Sequence, residues 1–86
     1  MSEEQSFLEQ LPQAAVEVRD GKITALNSAA LSHLPELAVG AQPPQYLSAP
    51  LDGVQTAGAF TGGGGLFVFS KVSSPGGVLL LFRPAP

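Results

Sequence analysis

The groups in this 86-residue chain that could do chemistry are few: one histidine (His33), seven acidic and four basic side chains, and a run of glycines, Gly62–Gly65. Glycine-rich loops can cradle a phosphate on their amides, but they need a helix N-terminus behind them and usually a Lys-Ser/Thr pair. Gly65 is followed instead by Leu66-Phe67-Val68-Phe69, a strand-forming run. The glycines therefore read as a hairpin loop that uses their freedom at positive φ. His33 falls near the end of a helical stretch, where an imidazolium suits the negative end of the helix dipole, so it reads as a capping or surface residue. Asp20 and Asp52 each precede a glycine, and an Asx turn accounts for both; no Ser-His-Asp arrangement is supported. Nor do the acidic residues show the spacing of a metal loop. Tyr46 could line a small cavity or pack on a sheet. With no acid–base, nucleophile or metal constellation, the chain is not expected to be an enzyme.

Composition narrows the classes further. There is no cysteine, hence no disulfide framework, thiolate nucleophile, iron–sulfur cluster or Cys-based zinc site. Arg19, Lys22, Lys71 and Arg83 are scattered in a chain of net charge −3, which argues against nucleic acid. Charged residues make up 13%, against ~25% in an ordinary soluble domain, while the hydrophobic share is 44%. A surface so short of charge is one that a partner or adjoining domain would cover. The length allows one domain and leaves nothing for a second lobe. The acidic N-terminus does not resemble a signal peptide, and the longest apolar run is Val78–Phe82, so no membrane insertion is expected. A reducing, cytoplasmic location fits the missing cysteines.

The elements that would position these groups follow from periodicity. Ser2 and Gln5 fit a capping box, and Phe7, Leu8 and Leu11 share one face of a helix over residues 3–11 that Pro12 stops. Ala14–Arg19 alternates, with Val16 and Val18 on one face and Glu17 and Arg19 on the other; Asp20-Gly21 is a two-residue hairpin turn, and Ile23–Leu26 is the returning strand. Asn27 is a good N-cap for a helix over 28–34 that ends before Pro35. Pro35–Gly53 reads as mostly irregular, with short helical turns around Glu36–Val39 and Pro44–Leu47. Three strands follow, Gln55–Thr61, Leu66–Val72 and Val78–Arg83; the last two are apolar on both faces and need cover on both sides. The class is α+β with a five-stranded antiparallel sheet.

The run Leu8-Glu-Gln-Leu-Pro-Gln-Ala-Ala-Val-Glu-Val-Arg-Asp-Gly-Lys-Ile-Thr-Ala-Leu-Asn-Ser-Ala-Ala resembles the opening of a PAS domain: a leucine and proline, an apolar strand, an Asp-Gly turn, Ile, Asn and Ala-Ala. Gly40 stands where that family often has a glycine before its next short helix, and three C-terminal strands match its last three in number and order. The resemblance implies a sheet in the order 2-1-5-4-3 with short helices on one face and an N-terminal helix. It also implies a role in sensing or in assembling signalling proteins, most often ahead of a histidine kinase transmitter. This chain departs from the family between Pro35 and Gly53, where a longer helix usually walls the ligand cavity, and that reduces the pocket. The cysteine that flavin photosensors and photoactive yellow protein require is missing, no histidine lies in the later helical region that usually supplies a haem ligand, and basic residues are too few for a carboxylate sensor. No cofactor is expected.

On these grounds the chain divides into an N-terminal helix (1–12), a core (13–83) and the start of a linker to a downstream signalling domain (84–86). The first expectation is a sensory or interaction module that forms a homodimer through Phe7, Leu8, Leu11, Leu79 and Leu81. The second is a sensor for a small apolar ligand in a cavity walled by Val16, Val18, Leu34 and Tyr46. The third, a roadblock-like α+β scaffold, would carry a different strand order.

Overall fold

The computed structural model describes residues 8–86. Phe7 and most of the helix expected over 3–11 fall outside them; Leu8 and Glu9 are helical. The chain then runs β1 (Ala14–Arg19), β2 (Lys22–Leu26), α1 (Ser28–His33), a 3-10 turn (Gln45–Leu47), α2 (Ser48–Asp52), β3 (Ala57–Gly62), β4 (Gly65–Ser74) and β5 (Gly77–Pro84). All strands pair antiparallel, in the order β2-β1-β5-β4-β3. No helix among the described residues is long and apolar enough to cross a membrane.

Local chemistry explains the hairpins. Asp20 and Gly21 both have positive φ (53° and 75°), as do Gly63 and Gly64 (58° and 84°), so both loops are two-residue turns whose twist matches the strands. Gly62 and Gly65, expected in the loop, instead pair with each other as the last rung of the β3–β4 ladder. The third hairpin turns on Pro75-Gly76, with φ of 82° at the glycine. β4 and β5 therefore reach further than expected, and β5 takes in Pro84, inside the stretch read as linker. The Ala85 N–H even donates to the Leu66 carbonyl at 2.9 Å.

A bulge sets the register of the first hairpin. Ile23 and Leu26 are three apart and would face opposite sides of a regular strand. The register shifts between Glu17 and Val18, Thr24 becomes the extra residue, and both side chains enter the same core. That core lies between the sheet and the helices: Val16, Leu34, Leu47, Leu80 and Phe82 are fully buried in it. Phe60, Phe67 and Phe82 meet with ring centroids 5.4–5.7 Å apart.

The segment after α1 differs from the pattern reading. Around Glu36–Val39 there are only turns, with Leu37 N–H on the Leu34 carbonyl and Ala41 N–H on that of Ala38. The chain is drawn instead to the free edge of β2, where Ile23 donates to the Ala41 carbonyl at 2.9 Å and accepts from Gly40 N–H at 2.7 Å. Further on, the helical turn expected to end at Leu47 continues into α2, which tolerates Pro50 because its N–H would be unpaired in a first turn.

Asn27 joins these parts. It is 2% exposed, and every valence of its carboxamide is used. Oδ1 accepts from Ala15 N–H and Ala30 N–H, both at 3.0 Å, while Nδ2 donates to the carbonyls of Leu8 and Gln13, both at 2.8 Å. Its own N–H bonds the Ala15 carbonyl. Truncation would leave two donors and two acceptors unpaired, so Asn27→Ala is expected to lower unfolding free energy by about 3–5 kcal/mol, well beyond the ~1 kcal/mol of a lost helix cap. Asn27→Ser should recover only the cap. Urea denaturation of the two variants checks this; a loss near 1 kcal/mol for both would reduce Asn27 to an ordinary cap.

Candidate functional site

The face of the sheet away from the helices gathers most of the side chains expected to meet a partner. On β5, Leu79 and Leu81 stand opposite Glu17 and Ala15 of β1 and opposite Val72 and Ser70 of β4. Leu8, Ala15 and Ala25 form a second small core here, with Leu11, Leu79 and Leu81 half-buried around it. Leu8 is 3% exposed, so it is closed within its own chain rather than offered to a partner. The open part lies beyond: Leu66 is 54% and Val72 59% exposed on β4, Val68 is half-buried between them, and Ala57, Ala59 and Thr61 are exposed on β3. Leu66 and Val72 were not singled out from the pattern because β4 is apolar on both faces; the register with β5 is what assigns them outward.

The segment around Leu8 is strapped to this face by polar contacts at its margin. Asn27 holds the carbonyls of Leu8 and Gln13. The Glu9 carboxylate accepts from Ser28 N–H at 2.6 Å and from Ser28 Oγ at 2.8 Å, capping α1 from outside the helix. The Ser28 backbone bond, then its hydroxyl bond, hold the Glu9 carboxyl below its ordinary value. Beside the strap, Glu17 bonds Thr24 Oγ1 at 2.7 Å and lies 3.4 Å from Arg19 Nε.

The expected cavity residues are placed differently. Val16 and Leu34 are at the centre of the core, Val18 is at its end, and Tyr46 packs on its rim, its ring stacked 6.3 Å from that of Phe60. Of the four, Val18 lines an open cleft of about 560 Å³ between the β1–β2 turn, the β4–β5 turn and α2, with Leu51 and Val78 beside it and Asp20 and Asp52 among its polar residues. The Tyr46 hydroxyl donates to the Glu36 carboxylate, and burial first, then that bond and charge, push its pKa well above the ordinary value. His33 rests edge-on against Phe67, 5.6 Å between centroids, in the last turn of α1.

The glycine run is a packing device. A Cβ at Gly62 would lie 2.6 Å from Tyr46 Cδ1 and Cε1, and one at Gly63 2.9 Å from Leu34 Cδ2. Lys71, which the pattern reading treated only as one of four scattered bases, points from β4 to the helix side. It is buried there, with its ammonium donating to the carbonyls of Leu51, at 3.1 Å, and Gly53 at the C-terminus of α2. That position complements the helix dipole and ties α2 to the sheet.

Two outcomes are expected. Gly62→Ala should cost about 1–3 kcal/mol by displacing Tyr46, whereas at Gly64 an added Cβ meets nothing and only the φ of 84° is strained. As Tyr46 is the only tyrosine and there is no tryptophan, intrinsic fluorescence should change in Gly62→Ala and not in Gly64→Ala. Glu9 has a depressed folded-state pKa, so its stabilising effect is present above the ordinary glutamate value and vanishes as pH falls through the lowered one. The difference in Tm between the native protein and Glu9→Gln should therefore be largest near neutrality and shrink as pH falls below the ordinary glutamate value.

Compared with known proteins, the chain matches no family model, no curated protein and no solved structure.

Proposed function

We propose that this chain is a PAS-like sensory or protein-interaction module of a cytoplasmic signalling protein, with a histidine kinase the best-fitting parent, and that it works by packing rather than chemistry. The observation that carries the reading is the open, mostly apolar half of the outer sheet face, Leu66, Val68, Val72, Ala57 and Ala59, bordered by Arg83 of β5 opposite Val68 and lying beside a strapped N-terminal segment. The PAS-like part is supported by the strand order 2-1-5-4-3, by α1, the 3-10 turn and α2 packing on one face, and by Asn27 joining the first hairpin to α1. A roadblock-like scaffold would call for a different order. In this reading a second copy covers the outer face, and a shift in how the strap and that copy share it is passed to a downstream domain.

A second reading, a small-ligand sensor, draws on the cleft beside Val18, which Leu51 and Val78 line together with Asp20 and Asp52. Native mass spectrometry of freshly purified protein separates the two, because a retained small molecule would favour the sensor.

Light scattering at micromolar concentration should give a dimer, and Val72→Asp, which puts a charge into the open patch without touching the core, should shift it to monomer with an unchanged melting temperature. Removing residues 1–11 should lower solubility by uncovering Ala15 and Ala25. A native protein that stays monomeric, with solubility indifferent to that deletion, would sink the proposal.

A further inference from the structure

The sheet has two edges, and among the described residues only one is guarded. At the β2 edge, Ile23 exchanges hydrogen bonds with Gly40 and Ala41. At the other edge lies β3, Ala-Gly-Ala-Phe-Thr-Gly, with none of the usual protections of an edge strand: no lysine, no proline, no charge. The phase of its ladder can be read. Lys71 N–H donates to the Thr56 carbonyl at 2.8 Å, and the register continues Ala57↔Ser70. Hydrogen-bonded pairs alternate along an antiparallel ladder, so Gly58, Phe60 and Gly62 bond β4, while Ala57, Ala59 and Thr61 turn their N–H and C=O groups outward. Among the described residues, no backbone or side-chain group bonds those six. The approach is open as well: Val54, just before the strand, is 96% exposed, and a groove of about 320 Å³ runs beside Ala59 between Phe69 and Pro50.

We propose that this edge is a strand-addition surface whose occupant is β3 of a second copy, antiparallel about a two-fold axis at Ala59. The register is self-complementary. Ala59 faces the partner's Ala59, Ala57 faces the partner's Thr61, and the outward groups close six backbone hydrogen bonds. Between these rungs Phe60 falls opposite the partner's Gly58, so an aromatic ring lies across from a residue with no side chain. The chain already uses such a pair internally, with Phe69 Cε1 only 3.1 Å from where a Cβ of Gly58 would be. Charge favours a copy too. Each chain carries −3, yet the seam itself is uncharged, and the antiparallel arrangement sends the two Asp52 carboxylates, the nearest acidic groups preceding β3, to opposite ends. This contact uses backbone groups at the edge and is separate from the outer-face contact proposed above.

The test is amide hydrogen exchange followed by NMR at about 20 μM and about 1 mM. The amides of Ala57, Ala59 and Thr61 should exchange at least roughly tenfold more slowly at the higher concentration, while those of Gly58 and Phe60, already bonded to β4, should not change. Ala59→Pro removes one outward N–H, which an edge strand tolerates, and should abolish the effect at the other two amides with the circular dichroism spectrum unchanged. Val72→Asp, which addresses the outer face, should leave it intact. Exchange at the three amides that does not depend on concentration, or a dependence lost in Val72→Asp and kept in Ala59→Pro, overturns the proposal. A synthetic peptide of residues 56–62 should protect the same amides in dilute protein. Equal protection by a scrambled peptide would mean that the edge takes any extended strand, and would overturn the choice of a second copy.

Discussion

A single buried carboxamide holds the arrangement together. Asn27 sits where β2 ends and α1 begins, with no loop between them, and its side chain bonds β1, α1 and the segment around Leu8 at once. In an interior of low dielectric a carboxamide is stabilising only when fully paired, and each of its bonds fixes a direction as well as a distance. Those directions set the packing on either side of the sheet. The helix leaves the sheet at a set angle, so Leu34 arrives over the core and the irregular stretch behind it reaches the β2 edge at Ile23. The N-terminal segment is held on the opposite face, with the Glu9 bonds to Ser28 as a second anchor at the same helix end. Both faces of the sheet are thus furnished from one residue.

Asn27 also marks the limit of what could be read from the residues alone. Its cap was legible, because a capping bond spans three residues. Its hold on Leu8 was not, because that bond spans nineteen residues and leaves no periodic trace. The Asp20-Gly21 turn was legible from the demand for positive φ. The stretch from Pro35 to Gly53 was not, since prolines and glycines record where a helix must stop but not what the freed backbone will bond. β4 shows a third kind of ambiguity. With apolar residues at every position from Leu66 to Phe69, alternation could not say which set faces in; the aromatic set does, because only the helix-covered side has depth for Phe60 and Phe67 to stack and for Phe82 to meet both edge to face. Lys71 was hidden for a related reason, as a lysine in phase with core positions looks like an exception until its ammonium is seen capping α2.

The scarcity of charge follows from the same geometry. Among the described residues, Glu9 is spent on the end of α1, Glu17 on Thr24 and Arg19, Glu36 on Tyr46, and Lys71 on the carbonyls at the end of α2. Each of these groups holds one part of the chain against another. What lies outside their reach is a continuous region, the β3–β4 half of the outer face and the β3 edge beside it, where the exposed side chains of β3 are Ala57, Ala59 and Thr61 and those of β4 include Leu66 and Val72. Two chains of net charge −3 repel each other over most approaches, and least where no charge is displayed. The low charge content is therefore not spread evenly over the surface: internal bonds take up Glu9, Glu17, Arg19, Glu36 and Lys71, and the β3–β4 ground, with Arg83 at its β5 border, is where association would be least opposed.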